Sequence, residues 1–445
     1  MDYPPKIQNI PKSPYLCFPY LIGKAIKELM EYDKLIEDIF SRHPSVQVSG
    51  FGPKSYKAGL EAMRGFDNSL GSPWRKYRII HVAGTNGKGS VSSMLASCLA
   101  ASGLSVGLYT SPHLLDFRER IKIVGPKGWE MVNKDYVQDF LETRPVEIEH
   151  LSFFEITTGL AFKWFADRKV DIAVIEVGLG GRLDSTNIIE SELSVVTSIG
   201  LDHCALLGST REQIASEKGG IFKSGAKALV WGHDAQTDPV FEECARITGA
   251  HLHYADELIN DNALEAIDFD RMDLRGEYQR DNVRTALAAL SLLGIKAAPG
   301  AIEHTAQRTG LRGRWEILSE HPNVICDIGH NPAALARNFA QLGSSGRPLT
   351  IVYGIMADKA LDDIATLMPA DADYILCAPK GNRALPVRDL HTRLSTLRPE
   401  LRLQEAPSVA DAVQIAIANS QIESIIYIGG STFVVSEALS LSNCK

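Results

Sequence analysis

The chain has 445 residues, of which 45% are apolar and 22% charged, values that are ordinary for a soluble globular protein. This length suffices for at least two domains, because single hydrophobic cores stop growing at about 250–300 residues. A net charge of −8, without a long run of Lys or Arg, argues against a nucleic-acid-binding protein.

The cysteines and the N-terminal residues indicate the cellular compartment of the protein. The seven cysteines are scattered and form no Cys-x-x-Cys pair, which argues against a disulfide framework or zinc ribbon and favours a reducing environment. Pro and Lys interrupt residues 1–27, so the apolar segment of a signal peptide is missing. No run of about 18 apolar residues indicates a membrane span. We therefore expect a cytoplasmic protein without membrane or nucleic-acid partners.

Strand and helix patterns alternate through the first two thirds of the chain. Several apolar runs are nearly continuous, which is typical of strands covered on both faces, and their alternation with helices implies a parallel sheet. In chain order the sequence predicts a strand at 79–83, a helix at 90–103, a strand at 105–110, a helix at 153–168, and strands at 170–178 and 193–200.

The last third repeats this alternation independently, as expected of a second doubly wound domain. A segment rich in Pro, Gly and basic residues, 296–318, separates the two patterns, and we place the domain boundary between residues 299 and 313. The sequence predicts strands at 323–329, 349–355, 373–379 and 424–430, and helices at 333–342, 359–367 and 408–419.

The segment His81–Val91, HVAGTNGKGSV, resembles a phosphate-binding loop between a strand and a helix. Backbone N–H groups at such a helix start bind pyrophosphate, and Lys88 would neutralise the terminal phosphates. A standard loop has Ser or Thr directly after its Lys, but here Gly89 takes that position and Ser90 follows. A plain tight turn is the alternative, disfavoured by the preceding buried strand and the Lys among glycines. The predicted nucleotide-binding residues are Gly84, Thr85, Asn86, Gly87, Lys88, Gly89 and Ser90.

We accordingly expect an α/β protein of two parts. Residues 1–308 would form a P-loop-type ATPase domain with a mainly parallel sheet. Residues 309–445 would form a smaller, Rossmann-like α/β domain.

Polar residues at the ends of predicted strands are candidates for binding magnesium. Glu176 ends an apolar strand, as Walker-B carboxylates do. Ser111 also follows a strand, although its Ser-Pro start is equally consistent with an ordinary turn and helix cap. An isolated His is more often a structural polar residue, but His203 follows the next strand after Glu176, so the two could share one ion or ion pair. Lys218, on a predicted helix, is a charge partner, a modified residue or an exposed side chain.

The second half offers further candidates at strand ends. Asp327 and His330 lie at the end of a predicted strand and in the following turn, where this topology binds ligands. Arg314 lies near the domain boundary, from which it could reach a nucleotide across a cleft. Lys359 and Ser431 follow similar glycine-containing turns.

Eight segments together resemble the Mur ligase superfamily, and most closely its folylpolyglutamate synthase/dihydrofolate synthase family. They occur in the family's order, and the resemblance extends from about residue 20 to the C-terminus. The segments are HVAGTNGKGSV (81–91), YTSPHL with ERI (109–121), EVGLGGRLDSTN (176–187), SIGLDH (198–203), EKGGIF (217–222), GRWE (313–316), DIGHNP (327–332) and GGSTF (429–433).

This resemblance implies a ligase that phosphorylates a folate carboxylate with ATP and then joins it to the amine of L-glutamate. It implies two Mg²⁺ ions held by Ser111, Glu176, His203 and Lys218, the last as a carbamate. It also implies that Gly89, directly after the Lys, is the residue that this family normally has at that position of the loop. Catalytic roles are implied for Lys88, Lys218 and His330, ATP contacts for Asn282, Arg314 and Asp327, and a monomeric state for the protein. Substrate contacts are implied for Phe153, Phe154, Glu155, Leu183, Asp184, Ser185, His330 and Ser431.

One departure concerns the range of substrates. Residues 47–63, QVSGFGPKSYKAGLEAM, lack the acidic start of a segment with which bifunctional family members bind dihydropteroate. We therefore expect ligation of glutamate to folate as the main activity, and dihydropteroate as an additional substrate.

Two other functions compete with this interpretation. A Mur ligase acting on a UDP-linked peptidoglycan precursor would need an N-terminal domain for the UDP sugar, whereas about 78 residues of helical character precede the first core strand. A nucleotide-binding switch without ligase chemistry is disfavoured by the paired magnesium candidates and the second α/β domain.

Overall fold

The computed structural model describes residues 32, 34–39, 41–43 and 59–442 of the chain. Residues 47–58 of the atypical segment noted above lie outside this part, as does most of the helical pattern near the N-terminus. No helix in the described residues is both long enough and apolar enough to cross a bilayer.

Within residues 59–442, the first sheet has eight strands in the order β4-β3-β2-β5-β1-β6-β7-β8. The six strands from β2 to β8 in that order are parallel, and β3 and β4 extend the sheet as an antiparallel hairpin. The strands are β1 (Arg78–Ala83), β2 (Val106–Tyr109), β3 (Ile121–Gly125), β4 (Gly128–Met131), β5 (Ile172–Glu176), β6 (Leu193–Val196), β7 (Lys227–Val230) and β8 (His251–Tyr254).

The register of the central strands positions the site. Val82 of β1 pairs with Glu176 of β5 on one side and Val195 of β6 on the other. Because these strands are parallel, their carboxyl ends meet at one edge of the sheet. The loop after β1 therefore lies beside Glu176.

Helices cover both faces of this sheet. The helix Lys88–Ala101 is buried from Gly89 to Ala100, because it packs between the sheet and the helix Gln279–Leu292. On the other face, Phe153–Asp167 packs its aromatic residues against the sheet and the N-terminal helices. The α-helices of this part with fully described bounds are Glu61–Ser69, Lys88–Ala101, Lys134–Glu142, Pro145–Ile148, Phe153–Asp167, Cys204–Leu207, Arg211–Gly219, Asp238–Thr248, Ala255–Leu258, Asp261–Leu264, Gln279–Leu292 and Thr305–Thr309.

The second sheet, counted in the same described residues, has six strands in the order β13-β12-β11-β14-β10-β9, all parallel except β9. Its two faces have separate apolar cores, as a doubly wound fold requires. The strands are β9 (Glu316–Glu320), β10 (Asn323–Cys326), β11 (Leu349–Tyr353), β12 (Asp373–Leu376), β13 (Arg402–Glu405) and β14 (Ile425–Gly429). The helices are Pro332–Gly343, Leu361–Ala365, Val387–Leu397, Val409–Asn419 and Thr432–Ser442.

The two-part α/β fold with mainly parallel sheets is confirmed, and every strand predicted above is present. Several predicted strands end too late: 193–200 is a strand only over Leu193–Val196, because the following residues form the loops that line the site. The sequence patterns did not predict β3, β4, β7, β8, β9 and β13. Of these, β4 and β13 have mostly exposed side chains at sheet edges and so do not form apolar runs.

Candidate active site

The phosphate loop has the backbone that its glycines require. Gly84 and Gly87 have φ angles of 148° and 90°, in the region that favours glycine. A Cβ at Gly84 would lie 1.7 Å from Thr197 Oγ1, and one at Gly87 would lie 2.3 Å from Asn282 Oδ1. The helix begins at Lys88, so the N–H groups of its first turn are available to a ligand at the loop.

Lys88 lies folded against its own loop. Its Nζ donates to the carbonyl oxygens of Gly84, at 3.0 Å, and Thr85, at 3.2 Å. These bonds hold the ammonium group at the start of the helix, where a phosphate anion would also bind.

Two adjoining cavities, formed by described residues, meet at this loop, with volumes of about 260 and 360 Å³. Thr85, Lys88, Ser111, Pro112 and His330 line both. We call the first the acceptor cavity and the second the nucleotide cavity. Predicted residues on the acceptor cavity are Gly84, Phe153, Phe154, Leu183, Asp184, Ser185, His203, Lys218 and Ser431. Those on the nucleotide cavity are Asn86, Gly87, Gly89, Ser90, Glu176, Asn282, Arg314 and Asp327.

Glu176 and Ser111 are in direct contact at the edge of the first sheet. The Ser111 backbone N–H donates to Glu176 Oε2 at 3.1 Å. Burial raises the pKa of Glu176, and the charges of Lys88 and Arg314 oppose this shift. Gly89 keeps the space in front of the carboxylate open, since a Cβ there would lie 3.6 Å from Glu176 Oε2 and 3.2 Å from Arg314 Nη2.

His203 and Lys218 lie on the acceptor-cavity side of the loop. Burial lowers the pKa of His203 to about 4, against the opposing effect of the Asp202 charge, so its imidazole is neutral and can bind a metal ion. Lys218 is buried near the end of the helix Arg211–Gly219. Burial, followed by repulsion from Lys88, lowers its pKa to about 7.

The chemistry of these side chains fits a magnesium ion only in part. A buried carboxylate with open space before it and a hydroxyl are the oxygen ligands that Mg²⁺ prefers, beside water and phosphates. In the described residues, no group of three or more His, Cys, Asp or Glu side chains could hold a metal ion. A metal here would therefore depend on Ser111, on the nucleotide and on any modification of Lys218, in addition to Glu176 and His203.

The helix Gln279–Leu292 forms a wall of the nucleotide cavity. Asn282 Nδ2 donates to Gln279 Oε1 at 2.8 Å, and Gln279 Nε2 donates to Ser90 Oγ at 3.3 Å. Ser90, the residue displaced from the usual position of the loop hydroxyl, is 1% exposed and bound in this way. Arg314 reaches the cavity from the segment that joins the two sheets.

Asp327 follows β10 and connects the two parts of the protein. Among the described residues its carboxylate accepts hydrogen bonds from the Tyr278 hydroxyl (2.6 Å), the Trp315 N–H (2.8 Å), the Gly329 N–H (2.7 Å) and Asn338 Nδ2 (2.8 Å). The carboxylate oxygens are thus bound by protein donors, and Asp327 holds together the part of the nucleotide-cavity wall that it lines.

Replacing Asp327 with Ala should lower the free energy of unfolding by about 3 kcal/mol or more, because buried donors lose their acceptor. Urea denaturation followed by circular dichroism measures this effect. Asp373→Ala, at an exposed ion pair with Arg402, is the control and should change stability by about 0.5 kcal/mol or less. Equal losses in the two variants would contradict a supporting role for Asp327.

Aromatic and apolar side chains form one side of the acceptor cavity. The Phe154 ring packs on Tyr109 with centroids 5.9 Å apart, and only glycine fits at 178, where a Cβ would lie 2.4 Å from that ring. Asp184 accepts hydrogen bonds from the N–H groups of Leu179 (2.8 Å) and Thr186 (3.0 Å), which orders the loop after β5.

Glu155 does not lie on the wall of the acceptor cavity, unlike its sequence neighbours Phe153 and Phe154. Its carboxylate accepts hydrogen bonds from the Ser152 N–H and hydroxyl, each at 2.7 Å, and caps the helix Phe153–Asp167. It lines neither of the two cavities formed by the described residues. In this structure Glu155 therefore positions the helix that carries Phe153 and Phe154.

Contacts between the part that contains the first sheet and the part that contains the second sheet also border the site. Asp202 accepts a hydrogen bond from Lys359 Nζ at 2.7 Å, and His330 Nε2 lies 3.4 Å from its other oxygen. The side-chain amides of Asn86 and Asn331 bond to each other in both directions, at 3.2 and 3.0 Å. The phosphate loop is thereby joined to the second sheet.

Some residues that the structure brings into the site had no predicted role. Asn331 and Arg120 both occur in segments that were singled out, DIGHNP and ERI. Their positions in these motifs were the available signal, but the contacts that reveal their roles join distant parts of the chain.

Two family models match this chain. A Mur ligase middle domain matches residues 82–290, and a Mur ligase glutamate ligase domain matches residues 313–432.

Similar proteins match over most of the chain. A dihydrofolate synthase/folylpolyglutamate synthase from Escherichia coli (strain K12) is 33% identical over 380 residues, which cover 82% of this chain and 87% of the relative. A folylpolyglutamate synthase from Lacticaseibacillus casei is 34% identical over 352 residues, covering 72% and 81%, respectively.

Solved structures resemble the whole fold. E. coli FolC in complex with DHPP and ADP has a TM-score of 0.79 at 29% identity and covers 93% of this chain and 98% of its own. A Yersinia pestis bifunctional folylpolyglutamate synthase/dihydrofolate synthase, complexed with AMPPNP and a Mn ion, has a TM-score of 0.76 at 28% identity and covers 88% and 95%.

Proposed function

The chain belongs to the folylpolyglutamate synthase/dihydrofolate synthase family of the Mur ligase superfamily, and we propose that its two cavities join L-glutamate to a folate carboxylate at the expense of ATP. The observation that carries this proposal is the shared wall of the cavities. Thr85, Lys88 and Ser111 line both, so a nucleotide in one and an acid in the other would meet at Lys88. Neither the UDP-precursor ligase nor the switch interpretation has comparable support.

The reaction has two steps in this arrangement. A carboxylate oxygen of the acceptor attacks the γ-phosphorus of ATP, the bond to ADP breaks, and an acyl phosphate forms. The amine of glutamate then attacks the acyl carbon, phosphate leaves, and the nitrogen loses a proton. Lys88 and the N–H groups of the first helical turn would stabilise the negative charge that spreads over the transferred phosphoryl group. The cavities lie between the two sheets, which would keep water from the acyl phosphate.

A divalent metal ion would supply electrostatic stabilisation of the phosphates. Ser111, Glu176 and His203 would hold it, and a carbamate on Lys218 would provide a further anionic oxygen. The solved relative with a Mn ion supports the use of a divalent metal. Two ions and the carbamate are proposals for this chain.

The remaining site residues divide between the three substrates. Asn282 and Arg314 would contact ATP, and Asp327 would hold Arg314's segment in place through Trp315. Phe153, Phe154, Leu183, Asp184 and Ser185 would contact the pterin, and Glu155 would position the helix that carries Phe153 and Phe154. His330 and Ser431 would face glutamate. A monomeric, cytoplasmic protein without nucleic-acid or membrane partners remains a prediction of the sequence.

ADP release tests the proposal. We expect release with Mg²⁺, ATP and L-glutamate on addition of tetrahydrofolate, and also on addition of dihydropteroate, since Phe153 and Phe154 line the acceptor cavity. Omission of L-glutamate or of the acceptor is the control. Release with tetrahydrofolate alone would restrict the enzyme to polyglutamylation and give the altered segment 47–63 a functional meaning. No stimulation by either acceptor would contradict the proposed function.

A further inference from the structure

We propose that Arg120 is an additional substrate-binding residue, whose guanidinium binds the reacting carboxylate of the acceptor beside the phosphate loop. This inference rests on the proposed function. It assigns a role to a residue of the ERI segment that was left without one.

The fold places Arg120 next to the site of phosphoryl transfer. Arg120 ends the 3₁₀ helix Phe117–Arg120 directly before β3. Its carbonyl oxygen accepts a hydrogen bond from the Thr110 N–H at 3.0 Å. Thr110 precedes Ser111, whose own N–H binds Glu176. The backbone of Arg120 is thus tied to the segment that lines both cavities.

The side chain is buried and lines the acceptor cavity. Arg120 is 3% exposed, and its Cζ lies 5.4 Å from the centroid of the Phe153 ring. Its Nε donates to His113 Nδ1 at 2.8 Å. Burial, followed by repulsion from Arg120, lowers the pKa of His113 to about 3, so this partner is neutral.

Aromatic rings hold this arrangement in place. His113 packs edge-on against Phe117 with centroids 6.4 Å apart, and Phe117 packs against Phe153 at 5.8 Å. These rings pack around the guanidinium and hold it against Phe153. A ligand whose aromatic ring packs on the Phe153 side of the cavity would direct an attached carboxylate toward a fixed positive charge.

The other cations of the acceptor cavity lie in different places. Lys88 is bonded to the phosphate loop. Lys359 is paired with Asp202 at 2.7 Å, and Arg383 with Asp358 at 2.9 Å, both on the side of the second sheet. Lys218 also lines this cavity and lies near the charges of Lys88 and Asp184, whereas Arg120 packs on the Phe153 ring.

An arginine at this position suits the chemistry of the first step. The attacking carboxylate and the γ-phosphate are both anions and repel each other. A planar guanidinium can bind a carboxylate through two parallel N–H donors, which fixes its orientation as well as its charge. Arg120 would thus hold one carboxylate oxygen while the other faces the phosphate.

Equilibrium binding can separate this role from a structural one. The ligands are the acceptor that releases ADP in the assay above and its analogue in which the reacting carboxyl group is a primary amide. The wild type should bind the acid about 10- to 100-fold more tightly than the amide. In Arg120→Met this ratio should fall to about one, while the affinity for ATP stays close to that of the wild type.

Two further variants make the result decisive. Arg118→Met removes a charge from the same 3₁₀ helix, where Arg118 pairs with Asp116, and should keep the wild-type ratio. Arg120→Lys keeps a buried positive charge but lacks the planar guanidinium, and should give a ratio between those of the wild type and Arg120→Met. If the Met variant does not fold, the Lys variant still tests the inference. An unchanged ratio in both Arg120 variants would overturn the inference. A wild type that binds neither ligand and releases no ADP would contradict the proposed function instead.

Discussion

Replacing Lys88 with Ala should lower kcat for ADP release by about 10²–10³-fold, because one preorganised positive charge at the transferred phosphoryl group would be lost. The effect should appear in kcat, since charge on the phosphoryl oxygens is redistributed mainly in the transition state. Stability should change little, because the two hydrogen bonds that Lys88 makes are to carbonyl groups of its own loop.

Initial-rate kinetics with a coupled ADP assay measures this loss, and thermal unfolding monitors the fold. Lys163→Ala removes a lysine that pairs with Asp167 on the helix Phe153–Asp167, and should leave kcat near the wild-type value. Near-normal turnover by Lys88→Ala would remove the phosphate loop from the mechanism.

Replacing Lys218 with Ala should reduce the rate by at least about 100-fold if the residue carries a carbamate that binds the metal, since even indirect partners of metal ligands contribute about 10–100-fold. An unmodified ammonium group could not act as a ligand, so the proposed role in metal binding requires the carbamate. Lys218 is buried near Lys88, and a carbamate there would replace the repulsion between two ammonium groups with an attraction.

Two measurements identify the carbamate. Native mass spectrometry of active enzyme should show the mass of one added CO₂, which Lys218→Ala should lack. Short carboxylates such as formate should restore part of the activity of Lys218→Ala by occupying the vacated space. Lys227→Ala, which removes a lysine bonded to the Leu292 carbonyl, is the control and should remain active and insensitive to formate. Fully active enzyme with an unmodified Lys218 would contradict the carbamate.

The sequence determined the parts of this protein that depend on local pattern. Continuous apolar runs identified the central strands, because a strand covered on both faces must be apolar throughout its length. The position of Glu176 at a strand end, and of Lys88 after another, then brought both to one sheet edge, because parallel strands end on the same side. The exposed edge strands β4 and β13 have no such pattern and became visible only in the structure.

Only the tertiary structure decided how similar side chains are used. Glu155, Glu176 and Asp327 are all acidic residues in segments that resemble the family, yet Glu155 caps a helix and Asp327 binds Tyr278 and Trp315, while Glu176 faces open space. Asn86 pairs with Asn331, 245 residues away, and Lys359 with Asp202 at a separation of 157. Such contacts depend on how the two sheets pack against each other, and periodicity within either sequence segment carries no information about that packing.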